Sequence, residues 1–447
     1  MPRKFQKAAS QRRTPAASSH APARSVEILR LGARGDGVAE VDGVDWFIPF
    51  ALPGELVRAQ PAAPRGDGFA AKILEIERES IDRIAPVCRH FGACGGCDLQ
   101  NLAPAPYAAF KRDRVFAALK RRGFEPGEIE LPEPAPAAAR RRLALAALRT
   151  ADGVVLGLHQ QGTHRIEKLL ECPIADPSLV RFFAPAAAYL ATWLRQAAKA
   201  DLIATVTEAG LDLLIEGPAP SDAARVAAGD FMTQAGVARL SWRAGPAAAS
   251  ETVLTLADPT ILLSGRVTPL PPGGFLQATA AGEAAIVAAV RRAIGKPPAK
   301  SSGRLADLFC GCGTLSLPLA QDGWKVTGVE RDPVAISALL KASRGPGPTL
   351  PIEGVARDLD DRPLAEDELK GFAAVVFDPP RAGAKAQAAA LARSSVPVVA
   401  AVSCNPETFA RDARILVDGG YVMGDVTVID QFLWSSHVEL VAGFRRG

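Results

Sequence analysis

Asp307-Leu308-Phe309-Cys310-Gly311-Cys312-Gly313-Thr314 sits where an apolar segment, 304–309, gives way to a helical pattern at 314–321. This predicts a strand-to-helix turn. Glycine at 311 and 313 lets the backbone turn tightly and approach a ligand. A dinucleotide fingerprint would carry three glycines. Two closely spaced glycines suit a smaller, amino-acid-bearing nucleoside better than a pyrophosphate. Glu330 ends the next apolar segment, 324–329. An acid about 20 residues past such a loop can accept hydrogen bonds from ribose hydroxyls. The pattern D-x-F-x-G-x-G followed by that acid points to S-adenosylmethionine; the bland alternative is a structural turn with a chance acid.

Around the loop, the last third of the chain alternates. Helices are predicted at 280–294, 314–321, 332–342 and 407–417, and strands at 304–309, 324–329, 372–377, 396–403, 421–428 and 437–443. Alternation of this kind predicts an α/β fold with a parallel sheet and helices on both faces. Two motifs fall at the carboxyl ends of predicted strands, where open α/β sheets bind ligands. Asp378-Pro379-Pro380-Arg381 follows 372–377, and Ser403-Cys404-Asn405-Pro406 follows 396–402.

Cys404 at such a rim is a candidate nucleophile, although buried structural cysteines are commoner. Carbon 5 of a pyrimidine is a poor nucleophile. Thiolate addition to carbon 6 makes carbon 5 enolate-like and able to take a methyl group, after which a base must remove the carbon 5 proton. Glu439, in Ser435-Ser436-His437-Val438-Glu439-Leu440, is the candidate base. It shares a strand face with His437 if both lie in the strand. Taken alone, Glu439 reads more simply as a solvated strand carboxylate.

The chain has 447 residues, enough for two to four domains. It is 48% hydrophobic and 22% charged, which excludes a wholly disordered or fibrous protein. Its net charge is +4, but Arg3, Lys4, Lys7, Arg12, Arg13 and Arg24 bring six positive charges to a start that has no acid, leaving −2 for the remainder. Residues 1–24 read as a disordered basic tail, either attracted to RNA or merely solubilising. No apolar core follows it, and no apolar run reaches the length of a membrane span, so a cytoplasmic location is expected.

Short strands with Gly-rich turns over 25–84 predict a small barrel. A basic helix at 105–123, a linker at 126–138 and a strand-rich region from Arg140 to 275 follow. Cys88, Cys94 and Cys97 are followed much later by Cys172. Four thiolates satisfy either a [4Fe–4S] cluster or a structural zinc, and one distant ligand followed by Pro173 fits the cluster better. Cys310 and Cys312 are read as loop residues with no ligand role.

Together these residues resemble the RNA uracil-5-methyltransferase family, in its bacterial 23S ribosomal RNA branch, over nearly everything after the tail. The resemblance implies an OB-like TRAM barrel at 25–84, a central α+β Fe–S-containing domain at 85–275, and a Rossmann-like class I methyltransferase domain at 276–447. It implies cluster ligation by Cys88, Cys94, Cys97 and Cys172, with the stretch 157–164 preceding the last of these. It implies S-adenosylmethionine contacts at Gln277 (in Phe275-Leu276-Gln277), Phe309, Thr314, Glu330, Asp358 and Asp378, with Cys404 as nucleophile and Glu439 as base. Thr279 and Thr314 stand where many members have asparagine.

The partner expected is RNA, most readily 23S rRNA because barrel and cluster occur together. Neither DNA nor membrane binding is expected, and the chain is expected to be monomeric. The barrel, Lys111–Arg122 and Arg140–Arg142 are expected to hold phosphates. The alternatives are the same chemistry on tRNA, an exocyclic-amine methyltransferase, and a non-catalytic Fe–S RNA-binding or redox-sensing protein.

Overall fold

The computed structural model describes residues 22–298 and 303–447. The predicted tail thus lies outside the described residues up to position 21, and at Arg24 it has already given way to the first strand. The chain divides into two compact units, Met1–Ala85 with Asp98–Pro106, and Pro86–Cys97 with Tyr107–Gly447.

The first unit holds strands β1 (Arg24–Glu27), β2 (Arg30–Leu31), β3 (Gly37–Val41), β4 (Val44–Ile48), β5 (Leu56–Arg65) and β6 (Gly68–Arg78). They form one sheet in the order β1-β5-β6-β4-β3-β2, so its two edges are successive pieces of one stretch. Between them, Ile28 donates to Glu55 and Leu29 to Val38 through the backbone. Asp42 and Gly43 both adopt positive φ (53° and 75°), which a two-residue hairpin between β3 and β4 requires. Val26, Ile28, Trp46, Ile48, Val57 and Phe69 form the core. Glu55, fully buried, is matched by Arg83 at 2.5 Å and 2.9 Å.

The second unit begins with the cysteine segment and α1 (Pro104–Arg121, whose first residues belong to the first unit). The predicted linker, 126–138, has no helix, but Ile129 is buried in a core of the C-terminal sheet and Ala135 is buried as well, so it is a packed strap rather than a loose connection. The middle region carries β7 (Arg142–Thr150), β8 (Gly153–His159), β9 (Ile166–Lys168), α2 (Pro177–Ala191), β10 (Lys199–Thr207), β11 (Gly210–Glu216), α3 (Asp222–Ala235), β12 (Val237–Arg243) and β13 (Glu251–Thr255). The sheet order is β13-β12-β11-β10-β7-β8-β9. One face packs on α2 and α3 through Leu145, Phe182, Leu202, Leu213 and Phe231. A hairpin, β14 (Thr260–Leu263) and β15 (Arg266–Pro269), leads out.

The last region contains α4 (Ala280–Ile294), β16 (Arg304–Leu308), α5 (Ser316–Gln321), β17 (Lys325–Glu330), α6 (Pro333–Ser343), β18 (Ile352–Ala356), β19 (Ala374–Phe377), α7 (Lys385–Arg393), β20 (Val398–Ser403), α8 (Pro406–Asp418), β21 (Tyr421–Ile429) and β22 (Glu439–Arg446). The seven strands run β18-β17-β16-β19-β20-β22-β21. Separate apolar cores on the two faces hold the helices. The expectation of a parallel sheet needs one correction: β22 is antiparallel to both β20 and β21 and lies between them. Neither β18 nor α7 was predicted. The first is a short, half-exposed edge strand containing Glu353 and Gly354; the second is a short alanine-rich helix. Among the described residues, no helix is long and apolar enough to cross a membrane.

The glycine loop joins β16 to α5. Phe309, Gly311 and Gly313 all have positive φ (63°, 52° and 103°). A Cβ at 313 would lie 2.5 Å from Leu339 Cδ1, whereas one at 311 would meet nothing within 4 Å. Gly313→Ala is therefore expected to cost about 1–3 kcal/mol from overpacking on top of the backbone penalty, whereas Gly311→Ala costs only the latter, about 1–2 kcal/mol. Paired thermal or denaturant unfolding curves check that order.

Candidate active site

The glycine loop and its acid meet as their spacing required. Glu330 ends β17, and its Oε2 accepts from Gly311 N at 3.2 Å while Oε1 accepts from Arg331 N and Asp332 N at 2.7 Å and 3.1 Å. The carboxylate is thus oriented by backbone donors beside the open face of Gly311. Asp358 lies in the loop after β18, 3.6 Å from the Arg331 guanidinium, and also caps Asp360 N at 3.0 Å. Phe309 and Thr314 flank the turn, each half-buried. Asp307, fully buried, accepts from Ser316 Oγ at 2.5 Å, while its other oxygen has no partner. Burial pushes its carboxyl up to about 7. Cys310 and Cys312 are buried in the apolar core beneath the loop.

At the next two strand ends the sheet register brings the rim motifs together. Leu308 pairs with Phe377, which pairs with Ala401, so Asp378 follows β19 next to β20. Ser403 pairs with Leu440. Cys404, one residue on, therefore stands opposite Glu439 on the antiparallel neighbour. Glu439 is only 2% exposed, which overturns the solvated-carboxylate reading. His437 lies in the loop before β22 rather than in the strand, so the shared-face expectation does not hold for it.

A chain of side-chain amides joins the two acids. Gln277 Nε2 donates to Asp378 Oδ2 at 2.9 Å. Gln431 Nε2 donates to Gln277 Oε1 at 2.7 Å and to Glu439 Oε2 at 2.8 Å. Glu439 Oε1 is buried without a hydrogen bond. Burial, then the neighbouring Asp378, holds the Glu439 carboxyl well above its ordinary range, and burial lifts Asp378 to about 6. Cys404 is pushed up to about 11 by burial, then by Glu439 and Asp378, with Arg381 opposing. Burial, then Arg381 and Arg114, depresses His437 to about 4. It is neutral at physiological pH.

The supports come from distant elements. Asp212 on β11 accepts from Gly273 N at 3.1 Å, and Arg141 donates to the Gln277 carbonyl at 3.0 Å and to Glu283 at 2.8 Å, fixing the segment that carries Gln277. Thr279 caps α4 by accepting from Gly282 N. Lys111, fully buried on α1, donates to Asp430 Oδ1 at 2.8 Å and to the carbonyls of Phe432 and His437. Tyr107 donates to the same carboxylate at 2.5 Å. Lys111 therefore cannot hold a phosphate as expected, because its charge is spent anchoring the 430–437 loop. Elsewhere on α1, Arg121 pairs with Glu407.

Gln431, Tyr107 and Asp430 escaped the sequence reading, and Lys111 entered it only as a phosphate contact. The available signal was Asp430-Gln431, two polar residues directly after an apolar strand at the same rim as Cys404.

The cysteine segment packs against the 157–164 stretch: Gly95 N donates to the His159 carbonyl at 2.9 Å, and Gln161 N to the Ala93 carbonyl at 3.2 Å. Gly96 N donates to Cys94 Sγ at 3.4 Å. The backbone around His90 and Phe91 turns toward Cys88, and that around Ile174 and Ala175 toward Cys172. Burial raises all three thiols; Cys88 and Cys172 both add to the shift of Cys94, and Arg140 faces Cys172 and Cys97. Among the described residues, no three His, Cys, Asp or Glu side chains converge closely enough to hold a single metal ion.

A seven-stranded sheet with an antiparallel penultimate strand, a two-glycine loop and an acid at the end of the next strand make up an S-adenosylmethionine-dependent methyltransferase fold. The family model described as tRNA (Uracil-5-)-methyltransferase matches residues 360–444. A Mesorhizobium japonicum protein named an uncharacterized RNA methyltransferase is 43% identical over 93% of this chain and 96% of its own. The 23S rRNA (uracil(1939)-C(5))-methyltransferase RlmD of Chromohalobacter salexigens is 33% identical, over 94% and 88%. The crystal structure of Pyrococcus abyssi tRNA (uracil-54, C5)-methyltransferase, solved with S-adenosyl-L-homocysteine, superposes with a TM-score of 0.71 over 94% of this chain and 99% of its own, at 22% identity, a likeness of fold. The chain belongs to the RNA (uracil-5-)-methyltransferase family and is an S-adenosylmethionine-dependent enzyme.

Because its thiol is held near 11, alkylation of Cys404 by iodoacetamide is expected to rise about tenfold per pH unit between 7 and 9, since only the thiolate reacts. Arg381→Met, which removes the one opposing charge, is expected to slow it further. Peptide mass spectrometry of the Cys404 fragment measures both.

Proposed function

We propose that this enzyme converts a uridine of 23S ribosomal RNA to 5-methyluridine through a covalent Cys404 adduct. The observation that carries the reading is the facing of Cys404 and Glu439 across adjacent strands, with Asp378 joined to Glu439 through Gln277 and Gln431. The Cys404 thiol gives its proton to solvent, and Sγ adds to carbon 6 of uracil and loads electron density onto carbon 5. S-adenosylmethionine, when bound, supplies the electrophilic methyl group that carbon 5 takes, its sulfur keeping the C–S electron pair as the neutral thioether leaves. Glu439 Oε1, buried and unpartnered, then accepts the carbon 5 proton; the C–H electron pair re-forms the C5–C6 double bond and the C–S pair leaves with sulfur.

Cofactor positioning falls to Glu330 for the ribose, Asp358, Phe309 and Thr314 around the nucleoside, and Asp378 with Gln277 near the reacting end. Phe275, 65% exposed two residues before Gln277, offers a ring on which an extruded base can stack.

Cys88, Cys94, Cys97 and Cys172 fit a [4Fe–4S] cluster. Backbone donors turned toward the sulfurs stabilise thiolate charge, and sulfurs around a cluster stand farther apart than around one ion. The six-stranded N-terminal sheet fits an OB-like TRAM barrel, because its edges are consecutive segments. Cluster and barrel lie outside the methyl-transfer chemistry, so their proposed work is to position RNA. The 23S rRNA assignment rests on the similarity to RlmD over nearly the whole chain. The tRNA names of the matching family model and of the superposed structure keep a second substrate reading.

Deleting the gene should abolish 5-methyluridine in large-subunit rRNA and leave tRNA unchanged by nucleoside mass spectrometry; loss from tRNA instead would overturn the substrate, and loss from neither the reaction. Glu439→Gln should let a denaturation-resistant protein–RNA adduct accumulate, and Cys404→Ala should abolish it. Protein purified without oxygen should carry about four iron and four sulfide per chain, falling sharply in Cys94→Ser.

A further inference from the structure

Gln431 is buried at 2% exposure, and every polar hydrogen of its amide is committed. Its Oε1 accepts from Ala278 N at 2.9 Å, which fixes which end of the amide faces which way. Its two N–H groups must then donate to Gln277 Oε1 and Glu439 Oε2. A flipped amide would set oxygen against two oxygens and an amine against a backbone N–H. Space for this arrangement is made by Gly282, where a Cβ would fall 2.5 Å from Gln431 Cβ.

We propose that Gln431 is a positioning residue for the proton-removal step: it tethers one oxygen of Glu439 so that the other stays free toward the substrate. The inference rests on the function proposed above. Glu439 is pressed toward the neutral form by burial and by Asp378, and the Gln431 bond is the influence that opposes them. A protonated Glu439 cannot take the carbon 5 proton. Loss of Gln431 therefore acts after methyl transfer, when carbon 5 holds both the methyl group and its hydrogen and Cys404 is still bonded to carbon 6. A proton must pass from carbon 5 to Glu439 before the C–S pair can leave.

Gln431→Met keeps the length of the side chain and removes its donors. With large-subunit rRNA from the deletion strain and S-adenosylmethionine, the variant should still bind cofactor by calorimetry and still form the covalent adduct. Resolution of the adduct to methylated RNA should slow by about 10–100-fold at neutral pH, the worth of one hydrogen bond to a charged group. The slowing should shrink as pH rises, because a higher Glu439 pKa moves the acid limb of resolution upward. Gly282→Ala, whose Cβ would fall 2.5 Å from Gln431 Cβ and 3.0 Å from its Oε1 and so displace the amide without removing its donors, should give a milder form of the same defect. The proposal is overturned if Gln431→Met resolves the adduct at the wild-type rate and pH dependence. It is also overturned if cofactor binding and adduct formation fail together with resolution, as a merely structural role would have it. If the wild-type enzyme itself forms no adduct, the function proposed above falls, and this role with it.

Discussion

A lysine ammonium without solvent around it must be matched by a carboxylate and by further acceptors, or it is costly to bury. Lys111 meets that demand with Asp430 at 2.8 Å and two loop carbonyls, while Tyr107 takes the other carboxylate oxygen and itself accepts from Trp434 N at 2.9 Å. Few other arrangements of the 430–437 loop would satisfy the same buried charge. Gln431 and Glu439 follow from that loop, and through Gln431 the amide of Gln277 and the carboxyl of Asp378. A helix more than three hundred residues earlier in the chain thus sets the geometry of the candidate active site.

In that site Glu439 and Asp378 both make it harder for Cys404 to carry negative charge, and Asp378 does the same to Glu439. Two carboxyls coupled in this way titrate as a pair rather than singly. The pair is joined by two amides from which donation diverges: Gln431 donates to Glu439 and to the Gln277 oxygen, and Gln277 donates in turn to Asp378, so an N–H ends on each carboxyl group. Arg381 is the positive charge that opposes them at Cys404. Among the described residues none of the three is salt-bridged, so the rim holds a thiol and two acids in close company.

The glycine loop, Glu330 and both rim motifs were legible in the sequence because each depends on local pattern: a strand, a turn, and a residue just past the strand end. Burial of Glu439 was not legible, since a carboxylate in an alternating strand looks solvated until the elements packed over it are known. The same holds for Lys111, which reads as one member of a basic helix. Its neighbours Phe110 and Arg112 are buried and half-buried, but its partner lies far along the chain. The strands β18 and the parallel-to-antiparallel change at β22 were missed for related reasons. A short edge strand has a weak pattern, and strand direction is decided by connections rather than by composition. The middle sheet's helices were read only through the resemblance, because the alternation of β7, β10 and β11 dominated that region.

The placement of β22 bears on how the enzyme is made. It is synthesised after β21 and yet lies inside it, paired on one side with β20. Until it emerges, a nascent chain carries the glycine loop and Cys404 but has no Glu439, and the edge of β20 lacks this neighbour. Edges of that kind invite mispairing. Insertion of this one strand covers the edge of β20 and brings Glu439 opposite Cys404 in the same event.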